Sequence, residues 1–429
     1  MEGRSPIPAV TLTEGQQRVA AHDRGPMLVS GPAGSGRSEA LAARLRRLAG
    51  SGTPPERVLV LTRSRSAADR LHSRVAALIE SPYEELWVVT HEAAAERLLR
   101  EHALEAGLDP FFATVRAADR LAMLLDRLDD LSLRRHEIRG NPAGLLARLL
   151  RRIDALKAEG IRPGRLRDWA EERERDAADE AAREAAHRER EFAELYASHD
   201  RVLRDGGSLD GGDLVLELAR LLRERADVRR ALAQRFPLVM VDELEEAGAA
   251  HRALVEGLAV EHGNLVCACD PRQSIRRPAL VARDPMPTFL EAHPDAEHVI
   301  LEAPLRFGAA ISAAAGAVST LAGSGEPRDA DGAKDPPQPA DSNGRLDADR
   351  PQESAEGLVR FWRCTGERAQ AQAAAREIEH LLAAGEVRAE EICVIVGSGW
   401  REALLVAAAL EERAVPFRFV GDAALFQRP

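Results

Sequence analysis

The stretch that decides the fold is MLVSGPAGSGRS, residues 27–38. It joins a short apolar run, residues 27–30, to a glycine-rich turn that leads into the helical pattern LAARLRRLAG at 41–50. A strand, such a turn and a helix in this order are the context that a phosphate-binding loop requires. The glycines let backbone N–H groups turn towards the phosphates, and the positive end of the helix points at them. An ordinary glycine-rich strand-to-helix turn is the alternative interpretation.

The predicted phosphate-binding residues are the eight of this turn: Gly31, Pro32, Ala33, Gly34, Ser35, Gly36, Arg37 and Ser38. Ser38 stands where a hydroxyl would bind Mg²⁺. Arg37 departs from the pattern, which has lysine at this position. A planar guanidinium is not equivalent to a compact ammonium beside the β- and γ-phosphates.

A second apolar run, residues 238–241, ends in Asp242 and Glu243. In a phosphate site with a metal, the first carboxylate would hold Mg²⁺ through water and the second would polarise the attacking water. Such a pair is common at strand ends and is weak evidence when it stands alone. Downstream of a phosphate-binding loop, it predicts a functional site.

Apolar runs alternating with helical stretches predict an α/β fold with a parallel sheet. The predicted strands are residues 27–31, 57–62, 86–90, 238–242 and 264–269. From about 94 to 232 the pattern is helical instead, which predicts an all-helical insertion. One apolar stripe in it has helical spacing and consists of Leu145, Leu146, Leu149, Leu150, Ile153 and Leu156.

The 429-residue chain has a formal net charge of −11, with 45% hydrophobic and 30% charged residues. This composition excludes global disorder and a polycation that binds nucleic acid through its net charge. A nucleic acid would need a local basic surface. Residues 37–74 supply one, with nine arginines against three acidic residues.

The chain has no apolar run of 18 residues and no recognisable signal peptide, so we expect no membrane contact. Its four cysteines, Cys267, Cys269, Cys364 and Cys393, form no CxxC pair. The expectation is therefore a reduced, cytoplasmic chain without structural zinc.

In order and spacing, these features resemble the motifs of superfamily 1 DNA helicases of the UvrD/Rep type. Residues 31–38 match the first motif of that family, and DELE at 242–245 stands where it has DEFQ. The other nucleotide motifs are matched by LTEGQ at 12–16, by Asp270 and Gln273 of a GDxxQSI-like segment, and by Arg306 of an NYRS-like segment.

The resemblance implies ATP and Mg²⁺ as cofactors. It implies that Gln16 reads adenine and that Ser38 and Asp242 hold Mg²⁺. It also implies three catalytic residues: Glu243 activates water, while Gln273 and Arg306 sense the γ-phosphate.

The resemblance implies DNA, single-stranded or partly duplex, as a partner. Residues 61–68, LTRSRSAA, are similar to the family's TFTNKAA segment, and Thr90-His91 is similar to its TFHS motif. The implied DNA-binding residues are Thr62, Arg63, Arg65, Thr90 and His91. A nuclease or a second motor subunit is a further partner that the resemblance suggests.

The implied fold is a P-loop NTPase (RecA-like) sheet with a helical insertion, followed by the start of a second RecA-like domain. We expect the second unit to be incomplete, because one strand–helix–strand–helix–strand pattern is too short for a domain and the family's last motifs are not found. The expected divisions are 1–100 and 206–320 for the first motor domain, 101–205 for the insertion, 321–355 for a flexible linker or loop, and 356–429 for the second motor domain.

Several positions depart from the family pattern beyond the missing motifs, and four of them lie in the nucleotide motifs. Arg37 replaces lysine, Glu245 replaces the glutamine after the acidic pair, Cys269 replaces glycine and Leu305 replaces tyrosine.

The first hypothesis for the function is an ATP-dependent DNA helicase or translocase that moves 3′ to 5′ in DNA repair or recombination. The alternative is a degenerate, non-hydrolysing module that binds DNA or a partner within a helicase–nuclease assembly. A regulatory P-loop ATPase that does not bind DNA is a third reading, which the basic surface disfavours.

Overall fold

The computed structural model describes residues 11–79, 82–131, 133–136, 140–275, 284–323, 358–385, 387–397 and 400–419. Its strands are β1 (Met27–Ser30), β2 (Val58–Thr62), β3 (Trp87–Thr90), β4 (Ala113–Thr114), β5 (Ser208–Leu209), β6 (Leu238–Val241), β7 (Leu265–Cys269) and β8 (Glu297–Ile300).

The α-helices of the described residues alternate with these strands in the first and last parts of the sheet domain. They are α1 (Glu14–Ala21), α2 (Arg37–Gly50), α3 (Arg65–Leu78), α4 (His91–Glu101), α5 (Ala103–Ala106), α6 (Ala117–Leu125), α7 (Pro142–Ala158), α8 (Pro163–Arg175), α9 (Glu180–Asp205), α10 (Gly211–Glu224), α11 (Ala226–Arg235), α12 (Ala249–Ala259), α13 (Pro285–Ala292), α14 (Ala309–Gly323), α15 (Glu367–Ala384) and α16 (Trp400–Glu411).

The main sheet has six strands in the order β3-β2-β6-β7-β1-β8, and all of its pairs are parallel. This confirms the predicted α/β class and the five predicted strands. Strand β8 was not among them. Its sequence, EHVI, buries only Val299 fully and lies at the sheet edge, so it lacks the continuous apolar run of the central strands.

Both faces of the sheet are covered, as a parallel sheet requires. Alternate side chains of each strand enter two separate apolar cores. On one face Leu28, Leu61 and Val241 pack among residues of α4, α10 and α12. On the other face Val29 and Val60 pack among residues of α2 and α3.

Between β3 and β6 the described chain is helical apart from one two-residue parallel pair, β4 with β5. The predicted apolar stripe lies on α7, and all of its members except the partly buried Leu156 are fully buried. They pack with Phe192 and Tyr196 of α9 in a core of their own. The predicted helical insertion is therefore confirmed.

The described residues divide into two compact units, one within Met1–Gly308 and Ser319–Ala355 and the other within Ala309–Val318 and Glu356–Pro429. In the second unit, α15 and α16 share a small core that includes Ala375, Ile378 and Leu410. The predicted linker lies outside the described residues from 324 onwards.

The pattern after 356 predicts strands near 357–364 and 392–398. No strand is formed by residues 358–385, 387–397 or 400–419. A strand is stabilised by hydrogen bonds to a neighbouring strand, and this part of the unit supplies none.

No helix of the described residues is long and apolar enough to cross a membrane.

A buried ionic cluster joins the insertion to α10. The Lys157 side chain is fully buried, and its Nζ lies 3.0 Å from Asp200, 2.9 Å from Asp210 and 2.8 Å from Asp213. Arg120 of α6 contributes a second cation, 2.9 Å from Asp210. Since an unpaired buried charge is costly, these contacts hold α6, α7, α9 and the start of α10 in one arrangement.

We predict that Lys157→Met lowers the free energy of unfolding by about 3–5 kcal/mol, because it leaves buried carboxylates without their shared cation. Denaturant unfolding at neutral pH measures the change. Arg165→Met is the control, since Arg165 is exposed and has no ion pair among the described residues. A loss below about 1 kcal/mol for Lys157→Met would show that the cluster contributes little to stability.

Candidate nucleotide site

The glycine-rich turn after β1 adopts a backbone that only glycine accommodates easily. Gly34 and Gly36 have φ angles of +79° and +83°, in the left-handed region. At Gly31, a Cβ would lie 2.6 Å from the Leu301 carbonyl oxygen and 2.7 Å from Ser35 Oγ. The turn therefore lies against its surroundings closely enough to exclude side chains, and it directs the start of α2 into the site.

Ser35 supports the assignment of this turn as an anion site. Ser35 is only 2% exposed, and its Oγ is buried without a hydrogen-bond partner among the described residues. A buried hydroxyl without a partner is costly. It lies beside the first turn of α2, whose backbone N–H groups favour an anion. These groups fit a phosphate.

Gln16 contacts the loop itself. Its Nε2 donates to the carbonyl oxygens of Ser35 at 3.1 Å and Gly36 at 3.4 Å, and its Oε1 accepts from the Thr13 N–H at 3.0 Å. The residue is 1% exposed. In this structure the polar atoms of Gln16 therefore connect α1 to the glycine-rich loop. Its predicted role in reading adenine stays a prediction.

Ser38 and Asp242 are brought together although they lie 204 residues apart in the chain. Ser38 Oγ donates to Asp242 Oδ2 at 2.5 Å. Asp242 Oδ1 accepts from the Glu243 N–H at 3.1 Å. Burial raises the pKa of Asp242 above its ordinary value. A hydroxyl and a carboxylate in contact are ligands of the kind that Mg²⁺ takes beside phosphates.

Glu243 occupies an unusual backbone conformation, with φ +60° and ψ +45°. A non-glycine residue in the left-handed region is strained and persists only where its surroundings impose it. Its Oε2 accepts from Thr62 Oγ1 at 3.0 Å, across from the end of β2. The backbone conformation sets the direction of the side chain, and the hydrogen bond from Thr62 holds its carboxylate.

The predicted γ-phosphate residues follow two other strands: Gln273 comes soon after β7, and Arg306 lies in the segment after β8. Gln273 Nε2 donates to Asp270 Oδ2 at 2.9 Å, just after β7. Arg306 is exposed, and the neighbouring Leu305 N–H donates to the Gly34 carbonyl at 2.8 Å. A Cβ on Gly34 would lie 3.2 Å from Arg306 Cβ. The Arg306 backbone therefore lies directly on the phosphate-binding loop.

Arg37 lies inside the same site. Its Nη1 donates to the Gly31 carbonyl and lies 3.4 Å from Asp270 Oδ2, while its Nη2 lies 3.6 Å from Glu245 Oε1. Burial raises the pKa of Glu245 to about 7. In the sequence, Arg37 and Glu245 are separate departures from the family pattern, 208 positions apart, and no motif pairs them. Their opposite charges were the available signal.

The predicted DNA-binding residues are divided between the interior and the surface. Thr62 and His91 are fully buried, so neither offers a surface to DNA in this structure. Thr62 instead holds Glu243, and His91 Nδ1 lies 3.2 Å from the Thr62 carbonyl oxygen. Burial, with a smaller effect of His251, lowers the pKa of His91 to about 3. The neutral imidazole cannot serve as a cation for a phosphate.

The other three residues are more accessible. Thr90 is half-buried and caps α4, since its hydroxyl accepts from the Ala93 N–H at 3.1 Å. Arg63 is half-buried and pairs with Glu92 at 2.8 Å. Arg65 is exposed and has no ion pair among the described residues. Of the five, Arg65 is the best placed to meet a phosphate backbone.

Comparison with known proteins gives the same family. A family model for the UvrD/REP helicase N-terminal domain matches residues 12–277, more than half of the chain. The chain is 29% identical over 314 residues to the ATP-dependent DNA helicase PcrA of Leuconostoc citreum, covering 72% of this chain and 39% of that protein.

Two further relatives agree with this result. The ATP-dependent DNA helicase UvrD1 of Mycobacterium bovis is 29% identical over 330 residues, which cover 73% of this chain and 40% of the relative. DNA helicase II of Escherichia coli is 24% identical over 309 residues, covering 72% and 40%. The chain thus matches about two fifths of the length of these relatives. The match of the family model to more than half of the chain shows that the chain belongs to the UvrD/REP helicase family and contains its N-terminal domain.

Proposed function

We propose that this chain is the N-terminal motor portion of an ATP-dependent DNA helicase or translocase. It would couple hydrolysis of Mg-ATP to 3′-to-5′ movement on single-stranded DNA, in DNA repair or recombination. The observation that carries the proposal is the contact of Ser38 with Asp242 beneath a glycine-rich loop, with Glu243 fixed next to it. A partner that supplies a nuclease or a second motor belongs to the same proposal.

Each part of the site has a role in this mechanism. Backbone N–H groups of the loop and of the first turn of α2 bind the phosphates. Ser38 and Asp242 would hold Mg²⁺, which supplies positive charge to the phosphate oxygens when it is bound. Glu243, oriented by Thr62, accepts a hydrogen bond from the attacking water and takes its proton.

Gln273 and Arg306 complete the proposed site from the ends of β7 and β8. Both carry N–H donors, which are the groups that stabilise charge on a transferring phosphoryl group. Gln273 is attached to Asp270, and Arg306 follows a residue that is hydrogen-bonded to the loop. Movement of the γ-phosphate would therefore change the contacts of two segments of the chain, the one after β7 and the one after β8. The surface around Arg65 is the proposed contact for DNA.

The first experiment is a titration with a fluorescent ATP analogue, with and without Mg²⁺. We expect Mg²⁺ to tighten binding by the wild-type chain by about tenfold or more, and Asp242→Asn to abolish most of that gain, since it removes the carboxylate opposite Ser38. Asp168→Asn, an exposed acidic residue on α8, is the matched control. Absence of binding at millimolar nucleotide would refute the proposal and favour the non-hydrolysing module.

We predict that Glu243→Gln abolishes hydrolysis while leaving nucleotide binding within about twofold, because an amide keeps the size of the side chain but cannot take a proton. Single-turnover hydrolysis and the same fluorescent titration measure the two effects. Glu246→Gln on the same segment is the control for a nearby change of charge. Equal hydrolysis by Glu243→Gln and the wild type would show that Glu243 is not the base.

For DNA, we predict that Arg65→Ala weakens binding of a fluorescent oligothymidine by about threefold to tenfold in low salt. It should also reduce the slope of log affinity against log salt by about 0.7, the value for one lost phosphate contact on a single strand. Arg165→Ala on the insertion removes the same charge elsewhere and serves as the control. Similar effects of the two substitutions would argue against a DNA contact at Arg65.

A further inference from the structure

The two charged departures from the family pattern meet at one place in the site. The guanidinium of Arg37 is 11% exposed, and it lies between Glu245 at 3.6 Å and Asp270 at 3.4 Å. The side chains of these acids are 2% and 4% exposed. Arg37 also donates to the Gly31 carbonyl of the loop. The guanidinium is thus hydrogen-bonded to the loop, and its charge lies between two buried carboxylates.

Glu245 is held firmly in this position. Its Oε2 accepts from the Asp270 N–H at 3.1 Å, and its own carbonyl accepts from Ser274 Oγ at 3.1 Å. It belongs to a short 3₁₀ helix, Leu244–Glu246, directly after the acidic pair. Among the described residues, Arg37 is the only cation within ion-pairing distance of Glu245. Glu245 would therefore lose its ion pair if Arg37 moved away, whereas Arg37 would keep Asp270.

This arrangement affects phosphate binding directly. Guanidinium groups bind both phosphates and carboxylates, so a phosphate at Arg37 would compete with the carboxylates already paired with it. Glu245 and Asp270 place two carboxylates around one guanidinium beside an anion site, and a like charge disfavours a phosphate there. Asp270 has two other donors, Arg272 at 2.9 Å and Gln273 at 2.9 Å. Glu245 is therefore the acid that depends most on Arg37.

We infer that Glu245 is a positioning residue that competes with the nucleotide for Arg37. It holds the guanidinium on the Gly31 carbonyl, and a triphosphate binds fully only after its oxygens replace Glu245 at Arg37. The pair thereby lowers the affinity of the loop for phosphates. This inference rests on the proposed nucleotide site, and it explains why an acid accompanies the arginine.

The test is Glu245→Gln, which keeps an oxygen for the Asp270 N–H but removes the competing charge. It is made at a pH well above 7, because burial raises the pKa of Glu245 to about 7 and the carboxylate is charged only above that value. We expect the dissociation constant of the fluorescent ATP analogue, with Mg²⁺, to fall by about tenfold. The matching fluorescent adenosine, which has no phosphates, should bind as it does to the wild type. If Glu245 had a purely structural role, the substitution would change the affinity for both ligands or for neither.

Glu39→Gln is the matched control, because it removes the same charge from the first turn of α2. Glu39 pairs with Arg74 at 2.6 Å, not with Arg37. We expect it to leave ATP-analogue binding within about twofold. Equal tightening by the two variants would overturn the inference, since a general change of charge would then explain the result.

A second variant covers the case in which Glu245→Gln does not fold. Arg37→Lys replaces the fork by a compact, flexible ammonium that cannot keep all three contacts of the guanidinium. We expect it to bind the ATP analogue more tightly than the wild type. If the wild type binds the ATP analogue and these variants bind it no more tightly, the inference about Glu245 is overturned and the proposed nucleotide site is not. Failure of the wild type and both variants to bind at millimolar nucleotide overturns the proposed nucleotide site as well.

Discussion

All six strands of the main sheet run in the same direction, and the candidate site depends on this constraint. Parallel strands cannot be joined by tight hairpins, so longer crossovers connect them and bury both faces of the sheet. Their carboxyl ends then lie along one edge. The glycine-rich loop after β1, Thr62 at the end of β2, Asp242 after β6 and Asp270 after β7 lie along that edge. Ser38 and Asp242 are in contact there although they are 204 residues apart in the chain.

Buried charge is the second organising factor, and it acts in two separate places. In the insertion, Lys157 lies among three aspartates and connects its helices to α10. In the nucleotide site, Arg37 lies between Glu245 and Asp270. A charge removed from water needs a partner of opposite sign, so in each cluster the cation and its acids depend on one another. The Lys157 cluster affects stability, and the Arg37 cluster affects what the loop can bind.

Much of the fold could be predicted from local patterns. Five strands and the apolar stripe of α7 were recognisable because a buried strand and a buried helix face each leave a short, regular spacing of apolar residues. Strand β8 was missed because an edge strand buries little. The predicted strands near 357–364 and 392–398 are not formed in the described residues, since an apolar run becomes a strand only when a neighbour pairs with it.

The sequence by itself determined the α/β class, the glycine-rich loop after β1 and the acidic pair after β6, because each leaves a pattern in consecutive residues. Only the tertiary structure decided which side chains face one another. It turned Gln16 towards the loop, buried His91, hydrogen-bonded Thr62 to Glu243 and paired Arg37 with Glu245. The physical reason is that contacts between residues far apart in the chain depend on how the sheet and its helices pack. A local sequence pattern does not encode which distant residues come into contact.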